Sequence, residues 1–195
     1  MEDRTRSFGD RRSIRLKAAD YSRPGIYFVT VCSDSRRCIF GRVEDAELIP
    51  SALGGLVREC WAAVPDHFPS VILDEFVLLP NHLHGILVFH PHVGAQHCCA
   101  LSGQPEAQVK PDSVSAIVRS FKAIVTRRAH DELHWRGPVW QRNYFERIVR
   151  GGDDLPNTRR YIAENLRMWE LDQDNPAVQG KKSKGAAVLR PYKNN

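Results

Sequence analysis

The 195-residue chain lacks the features that mark several large classes of protein. No apolar run approaches the roughly 20 residues of a membrane-spanning helix, and the charged N-terminus has no signal-peptide segment. The five cysteines are scattered and odd in number, which argues against a disulfide framework. We therefore expect a reducing, cytoplasmic setting.

Several catalytic signatures are missing as well. There is no G-x-x-x-x-G-K-[ST] loop, no dinucleotide-binding glycine fingerprint and no G-x-S-x-G elbow. The carboxylates do not form an evident acidic metal triad. Any chemistry must come from another set of residues.

The composition indicates one compact domain with an anionic partner. The chain is 42% hydrophobic and carries a net charge of +5, which favours nucleic acid over a membrane surface. We predict a catalytic domain over residues 1–170. A basic, flexible tail is predicted over residues 171–195, and it contains Lys181–Gly185.

Hydrophobic periodicity predicts strands that alternate with helices. The predicted elements are a strand at Ile26–Cys32, a helix from Ser51 to Pro65, strands at Val71–Leu79 and His82–His90, a helix from Ser113 to about Ala129, and a helix that starts near Asp153 and carries Tyr161 to Trp169. Residues 40–49 fit a hairpin or irregular loop, 91–112 a mobile loop, and 139–150 either strand or loop. This order predicts an α+β fold, an antiparallel sheet with helices packed against it.

His82 and His84 are the most informative residues. They open a predicted strand directly after the Pro80-Asn81 turn, and alternation along a strand places both on one face. Two imidazoles on rigid backbone make half of a metal site. An H-x-H pair is weak evidence alone, since it is also found on polar strand faces.

Tyr161 and Asn165 stand four residues apart on a predicted helix, and so on one face. They could supply a nucleophile and a third metal ligand. In the simpler interpretation Tyr161 packs and Asn165 faces water, although asparagine is a poor mid-helix residue.

Two further groups of residues remain open to interpretation. A zinc site could combine the 90–99 segment with the histidine pair, although its spacing matches no standard motif; its residues are His90, His92, His97, Cys98 and Cys99. A basic set could track a phosphate backbone or simply face solvent; it consists of Arg119, Lys122, Arg127, Arg128 and Arg142.

Several blocks together resemble the REP-associated tyrosine transposases of the single-tyrosine HUH endonuclease superfamily. The match spans roughly residues 12–169, and its blocks are Arg12–Leu16, Asp20-Tyr21, Gly25–Thr30, Leu79–Gly85, Ser120–Lys122, Trp140–Glu146 and Arg160–Asn165. Leu166 departs from the family pattern, in which proline often follows the asparagine, and we expect it to lengthen the helix slightly.

The resemblance implies the HUH fold, whose layout is shared with ferredoxin-like and RNA-recognition domains. It implies Tyr161 as nucleophile and His82, His84 and Asn165 as ligands of Mg²⁺ or Mn²⁺. The implied substrate is single-stranded DNA beside a hairpin-forming repeat. Two other classes stay open: a non-catalytic single-stranded nucleic-acid-binding module and a zinc-stabilised DNA-binding regulator.

Overall fold

The structure, a computed structural model, describes residues 24–90, 113–172 and 175–179. Its elements are β1 (Gly25–Cys32), β2 (Gly41–Glu44), β3 (Glu47–Pro50), α1 (Ala52–Ala62), α2 (Val64–His67), β4 (Val71–Leu78), β5 (His82–Phe89), α3 (Val114–Leu133), β6 (Phe145–Val149), α4 (Asp154–Glu164) and α5 (Pro176–Gln179). Single 3₁₀ turns lie at Asp34–Arg36 and Trp169–Leu171. The N-terminal blocks at 12–21, the predicted loop at 91–112 and the basic 181–185 stretch lie outside the described residues.

One four-stranded antiparallel sheet, in the order β4-β5-β1-β6, forms the framework. With helices packed against it, the sheet confirms the predicted α+β class. Strands β2 and β3 form a separate hairpin. Of the two structures that the sequence allowed for residues 40–49, a hairpin or an irregular loop, the hairpin is therefore the correct one. Its turn residues Asp45 and Ala46 have φ of 50° and 60°, the left-handed conformation that a tight hairpin turn requires.

The two sheet faces have separate cores. Along β1, Tyr27, Val29 and Val31 pack with the apolar residues of α1 and α3. Phe28, between them in sequence, lies in the other cluster with Ile162 of α4. Successive side chains of the strand therefore point alternately to the face covered by α1 and α3 and to the face covered by α4.

Gly85 follows the two histidines and serves the α1–α3 core. A Cβ at this position would lie 2.4 Å from Cζ2 of Trp61, a fully buried side chain of α1. Any larger residue would push the indole away from the sheet. The glycine is thus required for close packing beneath the histidine-bearing strand.

The last helix is shorter than predicted. Helix α4 ends at Glu164, Asn165 is its C-cap, and Trp169 belongs to the following 3₁₀ turn. The Asn165 amide donates to the carbonyl of Ile162, three residues back, so the final turn tightens instead of continuing. The expectation that Leu166 lengthens the helix is wrong, as is the placement of Asn165 in mid-helix.

The structure also defines two elements whose extent the sequence left uncertain. Helix α3 begins after the Ser113 cap as predicted but continues to Leu133, and the ambiguous 139–150 stretch contains β6. Within the described residues, no helix has both the length and the apolar character needed to cross a membrane.

Candidate functional site

The two histidines project from the start of β5 toward α4. His82 and His84 are 1% and 6% exposed, and their Nε2 atoms lie 3.1 Å apart. The predicted sharing of one strand face is therefore correct. Two nitrogen ligands held at right angles at roughly 2.1 Å from one ion would have a similar separation.

A separate neighbour fixes each imidazole. Nδ1 of His82 lies 2.7 Å from Oδ1 of Asn81, and Nδ1 of His84 lies 2.8 Å from Oγ1 of Thr30. Because an amide oxygen only accepts, Nδ1 of His82 carries the proton and its Nε2 presents a lone pair. Thr30 lies opposite His84 in the β1–β5 register, and its hydroxyl oxygen can accept a hydrogen bond from Nδ1–H of His84 in the same way. Such partners are typical of metal-binding histidines.

Burial keeps both imidazoles neutral. It lowers the pKa of His82 to about 3, with a further contribution from the positive charge of Arg36. Burial first, and then repulsion from the positive charge that His82 would carry if protonated, hold the pKa of His84 well below its usual range. At neutral pH the pair can therefore donate lone pairs without first losing protons.

Tyr161 of α4 approaches this pair. Its hydroxyl lies 3.4 Å from Nε2 of His84, at the outer limit of a hydrogen bond, and its ring centroid lies 5.4 Å from that of His84. The residue is 43% exposed, so the tyrosine is open to solvent on one side while its hydroxyl approaches a buried histidine on the other. Burial raises the pKa of Tyr161, while a hydrogen bond with the Asn165 side chain acts in the opposite direction.

Asn165 lies beside Tyr161 at the end of α4. Its side chain is buried, and Nδ2 donates to the carbonyl of Tyr161 at 3.0 Å. Since Nδ2 is engaged, Oδ1 is the atom that suits a cation. Within the described ranges, no cluster of three His, Cys, Asp or Glu side chains could hold a metal. A metal at the histidine pair would therefore need an amide, water or phosphate oxygen as well.

Phe28 of β1 connects the parts of the site. Its ring stacks on His84 with centroids 5.2 Å apart, and Tyr161 packs edge-on against it at 6.0 Å. The Arg147 guanidinium lies over the ring, 5.8 Å from its centroid. Sequence reasoning gave Phe28 and Thr30 no role at the site, because only the strand register brings them there.

Salt bridges secure helix α4 over this face. Arg147 donates to both carboxylate oxygens of Asp154 at 2.8 and 2.9 Å and to the Thr158 hydroxyl at 2.8 Å. Arg159 binds both oxygens of Asp74 on β4, at 2.8 and 2.6 Å. The position of Tyr161 thus depends on ionic contacts from β4 and β6.

The structure divides the predicted basic residues into two groups, those whose side chains bind other protein groups and those that are exposed. Arg128 is paired with Glu59 and Glu132, and Lys122 donates to the carbonyls of Gln141 and Arg142. Arg119, Arg127 and Arg142 are exposed. A groove of about 640 Å³ between α3 and the 138–142 segment has a mixed lining that includes Lys122, Arg127, His130, Asp131, Trp140 and Arg142.

The alternative zinc site cannot be placed. His90 is exposed just after β5, and His92, His97, Cys98 and Cys99 lie outside the described residues.

Comparison with known proteins places the chain in a family. No family model matches it. It is 40% identical over 170 residues to an uncharacterized protein of Haemophilus influenzae, a match that covers 84% of this chain and 92% of that protein. The two proteins belong to one family.

Solved structures resemble the fold. The structure of a REP-associated tyrosine transposase bound to a REP hairpin matches with a TM-score of 0.51 and 20% identity, covering 75% of this chain and 69% of that one. A candidate transposase of Deinococcus radiodurans has a TM-score of 0.43 at 14% identity, over 77% of this chain and 97% of that one. The first likeness shows a shared α+β architecture.

Proposed function

We propose that the protein is a metal-dependent single-stranded DNA endonuclease and strand transferase with Tyr161 as nucleophile, a transposase of the REP-associated type. The observation that carries this proposal is the 3.4 Å approach of the Tyr161 hydroxyl to Nε2 of His84, within a buried and oriented histidine pair. A tyrosine kept only for packing has no need of that partner.

The donor set fits a divalent cation. His82 and His84 would hold it through Nε2, with Asn165 as the third ligand, and open positions suit Mg²⁺ or Mn²⁺. When bound, such an ion would polarise the phosphodiester and help a nearby hydroxyl lose its proton. Asn81 and Thr30 keep the two lone pairs directed into the site.

The protein's own residues perform the displacement. The Tyr161 oxygen forms a bond to phosphorus as the bond from phosphorus to the 3′ oxygen breaks. The phenolic proton is lost to solvent, and the 3′ oxygen takes up a proton. The products are a 5′-phosphotyrosine and a free 3′-hydroxyl. Attack by a 3′-hydroxyl reverses the step and rejoins DNA, which makes strand transfer accessible to one tyrosine.

The proposed substrate is single-stranded DNA beside a hairpin. The fold's likeness to a REP-associated tyrosine transposase bound to a REP hairpin supports this choice. Exposed Arg119, Arg127 and Arg142 are available for phosphate contacts.

Covalent capture tests the proposal. Wild type is incubated with single-stranded hairpin oligonucleotides and Mg²⁺ or Mn²⁺, and adducts are resolved on a denaturing gel. Tyr161→Phe keeps the ring, so it should fold and bind DNA but form no adduct. Tyr144→Phe, a tyrosine of the α1–α3 core, is the matched control and should react. An adduct that survives Tyr161→Phe would exclude Tyr161, and DNA binding without any adduct would indicate a non-catalytic module.

A further inference from the structure

The groove between α3 and the 138–142 segment lies at the same end of the sheet as the histidine pair. The segment runs beside the end of β1, where the Gln141 amide donates to the Cys32 carbonyl at 3.0 Å. Cys32 in turn lies opposite His82 of β5. The backbones of Gln141 and His82 are therefore two strand spacings apart, roughly 10 Å. The groove borders the proposed site, although α3 covers the opposite face of the sheet.

Part of the groove is apolar and fixed in position. The apolar lining residues are Ala123, Pro138, Val139 and Trp140. Trp140 packs against Phe40 and Phe121, with ring centroids 5.1 and 5.5 Å away, so the core holds its indole in place. The volume of about 640 Å³ falls within the range of ligand sites. The groove can therefore accept a flat, partly apolar group.

Exposed cations lie on both walls of the groove. Arg127 belongs to α3 and Arg142 to the opposite segment, and within the described residues neither guanidinium has a hydrogen-bond or ion-pair partner. The described lining contains one carboxylate, that of Asp131. The balance favours an anionic ligand. A guanidinium presents paired donors that match phosphate oxygens, so phosphate is the anion that suits these walls best.

Lys122 joins the two walls. It belongs to α3, and its ammonium donates to the carbonyls of Gln141 and Arg142 across the groove, to the latter at 3.2 Å. The contact sets the distance between the walls before any ligand enters. A preformed groove spares a ligand the entropic cost of ordering the segment.

An unpaired nucleotide matches this combination better than a duplex does. Its phosphates suit guanidinium groups, and its base has apolar faces that can enter a recess between the walls. In a duplex the bases are stacked on one another, and the sugar-phosphate backbone alone would meet the groove. The apolar part of the lining would then remain unfilled.

We infer that this groove binds one unpaired nucleotide of the DNA strand close to the scissile phosphate. Arg127 and Arg142 contact the phosphates on either side of that nucleotide, and its base lies against Ala123 and Trp140. The assignment rests on the proposed function, whose substrate is single-stranded DNA. It adds a subsite that selects for an unpaired base at one position beside the cut.

Filling the groove tests the assignment without removing a charge. Ala123 is exposed on α3, so Ala123→Phe should fold while its ring takes the space of the base. Binding is measured in the Tyr161→Phe background, in which no adduct forms. There Ala123→Phe should weaken binding of a single-stranded oligonucleotide at least about tenfold. Ala62→Phe, at an exposed alanine of α1, is the matched control and should bind as tightly as the parent.

Abasic substitution shows whether a base occupies the groove. Each nucleotide beside the cut is replaced in turn by an abasic one, which keeps the phosphates. At one position the loss of the base should weaken binding to the parent about tenfold. The same abasic oligonucleotide should bind Ala123→Phe no more weakly than the intact one, because the phenyl ring already excludes the base. Identical abasic profiles for the two proteins would overturn the assignment, as would parental affinity for Ala123→Phe.

The charges of the lining give a second test. Arg127→Ala and Arg142→Ala should each weaken single-strand binding several-fold, whereas Arg58→Ala, at an exposed arginine of α1, should not. Asp131→Asn should strengthen binding, because it removes a carboxylate that repels phosphate. Unchanged affinity in both arginine variants would overturn the assignment.

Two comparisons identify which proposal fails. A fully paired duplex of the same sequence should bind Ala123→Phe and the parent alike; an equal loss for duplex and single strand would mean that a duplex backbone occupies the groove, and would overturn the assignment. If the wild-type protein shows the expected abasic profile but forms no adduct with any oligonucleotide, the proposed chemistry fails and the groove assignment stands. Adducts from wild type together with unaltered binding by the groove variants would refute the groove assignment alone.

Discussion

The Tyr161 hydroxyl and Nε2 of His84 lie 3.4 Å apart although 77 residues separate them in the chain. The contact depends on β5 and α4 meeting on one sheet face, with Phe28 against both rings. The site is therefore built by the tertiary fold, and each supporting contact can be tested separately.

Removing a proposed metal ligand should abolish cleavage without unfolding the protein. His82→Ala, His84→Ala and Asn165→Ala are each expected to lower the cleavage rate at least about 100-fold and to raise the metal concentration needed for the remainder. His90→Ala, which changes an exposed histidine just after β5, is the control and should stay active. A chelator should stop wild type while its circular dichroism is unchanged. Full nicking in excess chelator would refute the metal role.

Thr30 should tune metal affinity although it is not itself a proposed ligand. Thr30→Val keeps the side-chain shape but removes the hydroxyl that lies 2.8 Å from Nδ1 of His84. We expect the metal concentration for half-maximal cleavage to rise about 10- to 100-fold, with much of the rate restored at saturating metal. Metal titration of cleavage measures this. Thr126→Val, which loses a helical hydroxyl bond to the Lys122 carbonyl, should leave the titration unchanged; equal curves for both variants would remove Thr30 from the site.

Strand patterns predicted the sheet and the histidine pair because alternation is a local property of the backbone. His82 and His84 could be assigned to one face from their spacing, and the Ser113 helix cap from its residue type. The end of α4 could not be predicted. Helical periodicity continues to Trp169, whereas a three-residue hydrogen bond at Asn165 ends the helix earlier.

The supporting role of two other residues could not be predicted from the sequence for a related reason. Thr30 and Phe28 reach it through the β1–β5 register, which is a pairing between segments more than 50 residues apart in sequence. Asn81 was different, since it lies within the Pro80–Gly85 motif, and its position beside His82 was a usable signal. Lys122 is another contact that its sequence position did not indicate: its charge suggested phosphate binding, and the fold places its ammonium against the backbone carbonyls of Gln141 and Arg142.

The division of the basic residues predicts unequal effects on DNA binding. Replacing exposed Arg119, Arg127 and Arg142 by alanine should weaken binding of single strands and flatten its salt dependence by about 0.7 for each phosphate that is no longer neutralised. Lys122→Ala should instead lower thermal stability, because the carbonyls of Gln141 and Arg142 lose their donor. Affinity measured against salt concentration checks the first expectation. Parallel slopes for wild type and the triple variant would mean that the phosphate path lies elsewhere.

Asp154 should make stability fall in acid. Burial raises its pKa, but the Arg150 amide and the Arg147 guanidinium outweigh this effect, so the folded pKa lies below the ordinary value of 3.8. A depressed folded pKa gives stability that is fully present above the unfolded pKa and is lost as the pH falls through the folded pKa. At pH 7, Asp154→Asn should cost on the order of 1–3 kcal/mol, since charged hydrogen bonds are lost.

Urea unfolding of wild type and Asp154→Asn between pH 7 and pH 2.5 measures this contribution. The difference in unfolding free energy between them should be constant down to about pH 4 and then shrink, because wild type loses the same carboxylate interaction by protonation. Asp66→Asn, an exposed position on α2, controls for charge removal alone. The Asp154 variant should also form adducts more slowly, because its carboxylate helps hold α4, and with it Tyr161, over the histidine pair. A constant difference across the whole pH range would show that the carboxylate charge contributes nothing to this anchor.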